Sequence, residues 1–225
     1  MSEDLFDGKP VIHFDDPRDR RSFLRYAAII GVGGTLAAAC GTGGTSGGSS
    51  TSTSTSASAS TSSQFGEGDL GILNYALTLE HLEAEFYAKG TAAGILGPEA
   101  AFINPIAQHE AAHVQALTQT IQKMGGTPAK KPTFNFPAGT FSDKSKFLST
   151  AMTFEETGVK AYHGQVTKIK DKNVLGAAAS IAGVESRHAA VIHDILGQKQ
   201  VPSPVEANAP MSDILTAIKP FLAGS

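Results

Sequence analysis

LEHLEAEFY, residues 79–87, sets Glu80, Glu83 and Glu85 among leucines and aromatics. Leu73, Leu77, Glu80, Ala84 and Tyr87 recur every three or four residues, the spacing of one face of an α-helix. That face is apolar apart from Glu80, and an unpaired carboxylate buried in an apolar seam costs several kcal/mol. The sequence repeats the offence three more times. Ile106, Glu110, His113 and Leu117 form a second stripe, and Leu148, Met152, Glu155, Val159 and Tyr162 a third. Ile181, Glu185, His188 and Ile192 form the fourth. In each stripe the polar residues have apolar neighbours on both sides, so the carboxylates are expected to point inward.

The breaks between stripes set the topology. Gly94 to Pro98 and Asp171 to Asn173 are short connections, which make helices 1 and 2, and helices 3 and 4, antiparallel neighbours. Between the second and third stripes lies GGTPAKKPTFNFPAGTFSD, rich in Pro and Gly. Its central stretch of about 17 residues can span up to roughly 55 Å, and a helix of about 25 residues is roughly 38 Å long. This connection can run a full helix length. The expectation is an all-α four-helix bundle with one long crossover between helices 2 and 3.

The two halves correspond by number. A shift of 75 takes Glu80 to Glu155, Tyr87 to Tyr162, Glu110 to Glu185 and His113 to His188. It also takes Leu73 to Leu148 and Ile106 to Ile181. Two such hairpins packed about a pseudo-twofold axis bring the polar seam residues of all four helices to one level. Residues three apart share a helix face, so Glu110 with His113, and Glu185 with His188, can each offer a carboxylate and an imidazole to one point. A single Glu-x-x-His arises by chance in many helices. Two, each with a seam Glu at equal spacing on the preceding helix, point to a metal-ligating set: Glu80, Glu110, His113, Glu155, Glu185 and His188.

Residues 65–200 resemble a ferritin-like domain, through NYALTLEHLEAEFY, HEAAH, EETGVKAY and ESRH. The resemblance is particularly to the exported bacterial group related to desiccation-associated proteins. Ferritin-like di-iron and di-manganese carboxylate proteins take one Glu from each of two helices and a Glu-x-x-His from each of the others. The resemblance implies that Glu110 and Glu185 bridge two ions, Glu80 and His113 completing one and Glu155 and His188 the other. Two divalent ions would offset the four carboxylates charge for charge, where the carboxylates alone would repel and take up protons. An oxygen-rich set with two imidazoles and no thiolate suits two iron ions, with manganese as the alternative. Tyr87 and Tyr162, two turns along from Glu80 and Glu155, are placed to hydrogen-bond ligand carboxylates; core filling is the alternative.

Other candidates fit less well. His109 is one turn before His113, but the shift of 75 takes it to Val184. Glu83 falls on Gly158, and Glu156 pairs back to His81, so the duplication favours Glu80 and Glu155 for the inward places. His81, His163 and His193 read as surface or seam-edge residues, and Arg187 as structural.

The first 39 residues read as an address. Arg20 and Arg21, followed by Ser22, Phe23 and Leu24 and an apolar run from Ala27 to Ala39, resemble a twin-arginine export signal. The run is too short, and too rich in Gly and Ala, for a membrane-spanning helix. Cys40, the only cysteine, directly follows Leu36-Ala-Ala-Ala39 and resembles the acylated residue of a lipoprotein box, although Leu sits one place earlier than usual; an ordinary peptidase cut is the alternative. One cysteine leaves no intramolecular disulfide and no Cys-based zinc site. Residues 40–64 form a Ser/Gly/Thr tether, whose random-coil reach is roughly 25 Å. These features predict export by the twin-arginine machinery, with attachment to a membrane through lipid only, at the periplasm or cell surface.

Of the 18 Lys and Arg, five lie in the first 39 residues, and of the 21 Asp and Glu six do, leaving a mature charge of −2. That is no basic footprint for nucleic acid. Lys168, Lys170 and Lys172 read as a solvated helix end. Residues 201–225 carry a linker and then MSDILTAIKPFLA, whose Ile214, Leu215, Ile218, Phe221 and Leu222 form one side of a short amphipathic helix capping the bundle.

The resemblance implies a di-iron protein with ferroxidase or peroxide-consuming chemistry, using oxygen or peroxide as oxidant, in oxidative, iron or desiccation stress. The competing reading is a non-enzymatic stress-protection module with a structural metal or none. Manganese catalase-like turnover is a third. Oligomeric state is not legible in one sequence.

Overall fold

The apolar stripes become helices. The computed structural model describes residues 64–223; the export signal with Arg20 and Arg21, Cys40 and nearly all of the tether lie outside the described residues. Helix α1 spans Gly68–Ala92, α2 Ala100–Lys123, α3 Lys144–His163 and α4 Lys172–Ile195, with a short α5 at Met211–Ile218. Single 3-10 turns precede α2 and α4 and follow α5. Among the described residues the rest is loop, turn and one isolated antiparallel bridge, Phe134 to Leu222. No described helix is long and apolar enough to cross a membrane.

Local chemistry sets the ends of α3 and α4. Asp143 accepts from the backbone N–H groups of Ser145 and Lys146 at 2.8 and 3.2 Å. Asp171 does the same for Asn173 and Val174 at 2.7 and 3.1 Å. Each satisfies donors that the first helical turn leaves unpaired. Gly125, at φ +75°, follows the end of α2 in the left-handed conformation that releases the chain into the crossover.

The most extensive helix pairings are α1 with α2 and α3 with α4, the two hairpins anticipated from the short connections. The crossover, residues 124–143, runs along α1. Asn74 accepts from Ala129 N–H at 2.8 Å and donates to Thr127 O at 3.3 Å. Further along, Lys131 pairs with Glu85 at 2.8 Å, and Lys89 sits over the Phe136 ring at 5.1 Å. Contacts advancing from Asn74 to Lys89 on the helix as they advance from Thr127 to Phe136 on the loop show a connection tracking the helix.

Two apolar clusters divide the interior. The larger gathers Phe86, Ile103, Phe147, Phe154 and Ile192; the smaller gathers Leu73, Leu77, Leu117, Ile121 and Ile181. Phe86 stacks on Phe147 with centroids 4.6 Å apart and planes 5° from parallel. Gly90 permits this approach of α3, since a Cβ there would lie 2.0 Å from a Phe147 ring carbon. Fully burying such a side chain contributes about 1.5–3 kcal/mol. Helix α5 buries Ile214 and Ile218 in the larger cluster, and Phe221 meets Phe154 edge-on at 4.7 Å. The C-terminal segment is therefore part of the core's closure. Tyr87 belongs to the first cluster and Tyr162 to the second, and both hydroxyls reach carboxylates lying between them.

Candidate metal centre

All four seam glutamates are inside. Glu80, Glu110, Glu155 and Glu185 are each 0% exposed, His113 is 7% exposed and His188 3%. Each helix supplies what its stripe places inward: Glu80 from α1, Glu110 and His113 from α2, Glu155 from α3, and Glu185 and His188 from α4.

The geometry is twofold. His113 Nδ1 lies 3.2 Å from Glu80 Oε2, 3.4 Å from Glu110 Oε2 and 3.0 Å from Glu185 Oε1. His188 Nδ1 lies 2.8 Å from Glu110 Oε1, 3.5 Å from Glu155 Oε2 and 3.9 Å from Glu185 Oε2. Two groups emerge whose donor atoms all fall within 4.8 Å of one another, each able to hold a metal ion: Glu80, Glu110, His113 and Glu185, and Glu110, Glu155, Glu185 and His188. They share Glu110 and Glu185.

The tyrosines cross between hairpins. Tyr87, on α1, donates to Glu155 Oε1 on α3, and Tyr162, on α3, donates to Glu80 Oε1 on α1 at 2.5 Å. Burial, reinforced by these carboxylates, pushes both phenols well above their ordinary range, so they remain donors. Each bond occupies one oxygen of a glutamate and leaves the other facing the centre. What remains is telling. Glu80 Oε2, Glu155 Oε2, both oxygens of Glu110 and of Glu185, and Nδ1 of both histidines are buried without a hydrogen-bond partner. Buried polar atoms are nearly always paired. Six oxygens and two nitrogens crowd together, with imidazole–carboxylate distances down to 2.8 Å, yet none meets another at a hydrogen-bonding angle. That donor set fits divalent cations with a preference for oxygen and imidazole.

Left to the protein alone, the cluster balances its charge with protons. Burial raises Glu185 well above the carboxylate range, helped by Glu110 and Glu80. Burial also raises Glu110, to about 7, against the pull of the two histidines. For Glu80 burial works in the same direction, but His113 outweighs it and the carboxyl is held below its usual value. Burial alone would lower both imidazoles; the facing carboxylates overcome it, lifting His188 to about 10 and His113 further.

Two residues that the duplication argued against belong to this neighbourhood. Glu83, expected to yield the inward place to Glu80, is 4% exposed. Burial first, then Glu185 and the other carboxylates, raise it well above the ordinary range. Its mismatch with Gly158 is what admits it. A Cβ at residue 158 would lie 3.2 Å from Glu83 Oε1 and 3.3 Å from Glu185 Oε2, so the missing side chain of one half makes room for the extra carboxylate of the other. His109 is exposed, yet its Nδ1 lies 2.9 Å from His188 Nε2. Among the remaining candidates, His193 pairs with Glu156 at 3.0 Å and His163 Nδ1 lies 2.9 Å from Val159 O, both half-buried and outside the cluster; Arg187 is exposed.

No curated protein matches the chain significantly. Residues 68–198 match a family model described as a ferritin-like domain.

Proposed function

Because the chain belongs to the ferritin-like domain family, we propose that its buried carboxylate–imidazole cluster holds two redox-active metal ions, iron in the first instance, and serves ferroxidase or peroxide-consuming chemistry. The observation that carries this reading is the set of inward-facing oxygens and Nδ1 atoms without partners. On this reading Glu80 and His113 serve one ion, Glu155 and His188 the other, and Glu110 and Glu185 both. When bound, the metal pair supplies electrons to dioxygen or peroxide. The protein's own residues do the rest. Tyr87 and Tyr162 hold Glu155 and Glu80 so that each presents a single free oxygen. Glu83, kept neutral by burial beside Glu185, can hold or give up a proton at its carboxyl as the charge of the centre changes. Buried Leu77, Leu117, Ile106 and Ile192 keep bulk water from the seam.

The reading extends to location. The Arg20-Arg21 motif, the apolar run and Cys40 support export by the twin-arginine route and lipid attachment in a role against oxidative, iron or desiccation stress. That route carries folded cargo, so metal would be loaded in the cytoplasm, away from the copper and zinc that outbid iron for such ligands.

The test is the metal content of protein produced through its own export signal, followed by oxygen and peroxide consumption. Two irons per chain with rapid peroxide-dependent oxidation support the reading, and Glu110→Ala with Glu185→Ala should abolish paired binding. A double variant that still binds two irons contradicts it, and protein whose stability ignores iron favours the non-enzymatic alternative.

A further inference from the structure

The repeat is nearly symmetric at the metal ligands but not behind them. His188 turns Nδ1 toward Glu110 and Glu155, and its Nε2 meets Nδ1 of His109 at 2.9 Å, with the rings 9° from parallel. A neutral imidazole that offers a lone pair at Nδ1 carries its hydrogen on Nε2. With that tautomer, His109 Nδ1 is placed to accept the hydrogen. His109 is exposed on α2, and accepting at Nδ1 places its own hydrogen on Nε2. The other half has no such device: the equivalent position is Val184, and among the described residues His113 meets its partners through Nδ1 alone.

We propose that His109 is a positioning residue that makes the two metal positions inequivalent, fixing the ring and tautomer of His188 so that the position it shares with Glu155 takes a divalent ion more tightly than the position of His113 and Glu80. A partner on the far nitrogen of a ligating histidine orients the ring and raises its basicity, and losing one weakens metal affinity by about 10–100-fold. The inference rests on the two-metal reading above.

The experiment is an anaerobic Co(II) titration of the full chain, followed by the visible absorption of bound Co(II), for the wild type, His109→Val and His109→Gln. Valine copies the other half; glutamine keeps an oxygen that can accept from His188 Nε2–H. The expected result is two resolved binding steps in the wild type. In His109→Val the tighter step weakens by about 10–100-fold while the weaker step stays, and in His109→Gln much of the loss is recovered. Since His109 is exposed, the melting temperature of the metal-free variants should match that of the wild type. Two steps left unchanged by His109→Val, or both weakened equally, overturn the inference while sparing the two-metal reading. A wild type that binds no pair of ions overturns both.

Discussion

Loading the centre with metal should expel protons, and the number follows from the residues. At pH 7 His188, raised to about 10, and His113, raised further, each carry an extra proton. Glu110, near 7, is about half protonated, and Glu185, raised well above the carboxylate range, is shifted toward its protonated form. Glu80, held low by His113, carries none. Ligation requires carboxylates and neutral imidazoles, so filling both positions should release about two to three protons per chain from the histidines and Glu110, and any that Glu185 holds in addition. By linkage, the product of the two binding constants then rises by roughly two or more decades per pH unit near neutrality. The sign is fixed: binding tightens as pH rises and fails first in acid. Titration calorimetry with Co(II), repeated in buffers of different ionisation enthalpy, counts the protons directly. Release of fewer than one proton per pair of ions would mean that the metal binds elsewhere, or that these groups are not ionised as the geometry requires.

Without metal the same groups give the opposite trend. Glu110 has a folded value of about 7 against 4.5 for the free side chain, so its stabilisation is complete below about pH 4.5 and is lost as pH rises through 7. The loss amounts to about 3 kcal/mol. The raised histidines act in the same sense at higher pH, from their ordinary value up to about 10 for His188. Glu80, being lowered, weakens the fold only as pH falls below the usual carboxylate range. Urea unfolding of chelator-treated protein should therefore show stability falling between pH 5 and 7; a rise across that window would contradict the protonation scheme. Tyr87→Phe and Tyr162→Phe each remove one hydroxyl that joins the two hairpins at a buried carboxylate. Each should cost about 1–3 kcal/mol of unfolding free energy, and changes below about 0.5 kcal/mol, the range of substitutions that touch nothing, would deny the bonds a role.

The bundle was legible because its signals are redundant. Four three-and-four stripes, two short connections and one long connection leave few ways to arrange the helices, and the shift of 75 residues picks out which polar residue in each stripe lies at the common level. The crossing of the tyrosines was less visible. Sequence places each hydroxyl along its own helix, whereas the partner is chosen by how the hairpins pack. Symmetry has a limit as a guide. The duplication disfavours Glu83 and His109 because their counterparts, Gly158 and Val184, are different in kind. A duplicated site compares like with like and is blind to what only one half possesses. A glycine facing an extra glutamate is complementary in volume, so the pair could have been noticed from sequence had the mismatch been read as room. His109 gave a weaker signal: HEAAH puts two imidazoles four apart on one helix, and only the approach of α4 decides which of them meets His188.

The most direct test is anomalous diffraction from crystals of iron-loaded protein. Two iron peaks roughly 3.5–4 Å apart, flanked by Glu110 and Glu185 in the middle of the bundle, are the expected result. Iron found only at the surface, with the inward carboxylates and both Nδ1 atoms left unligated, would contradict the account.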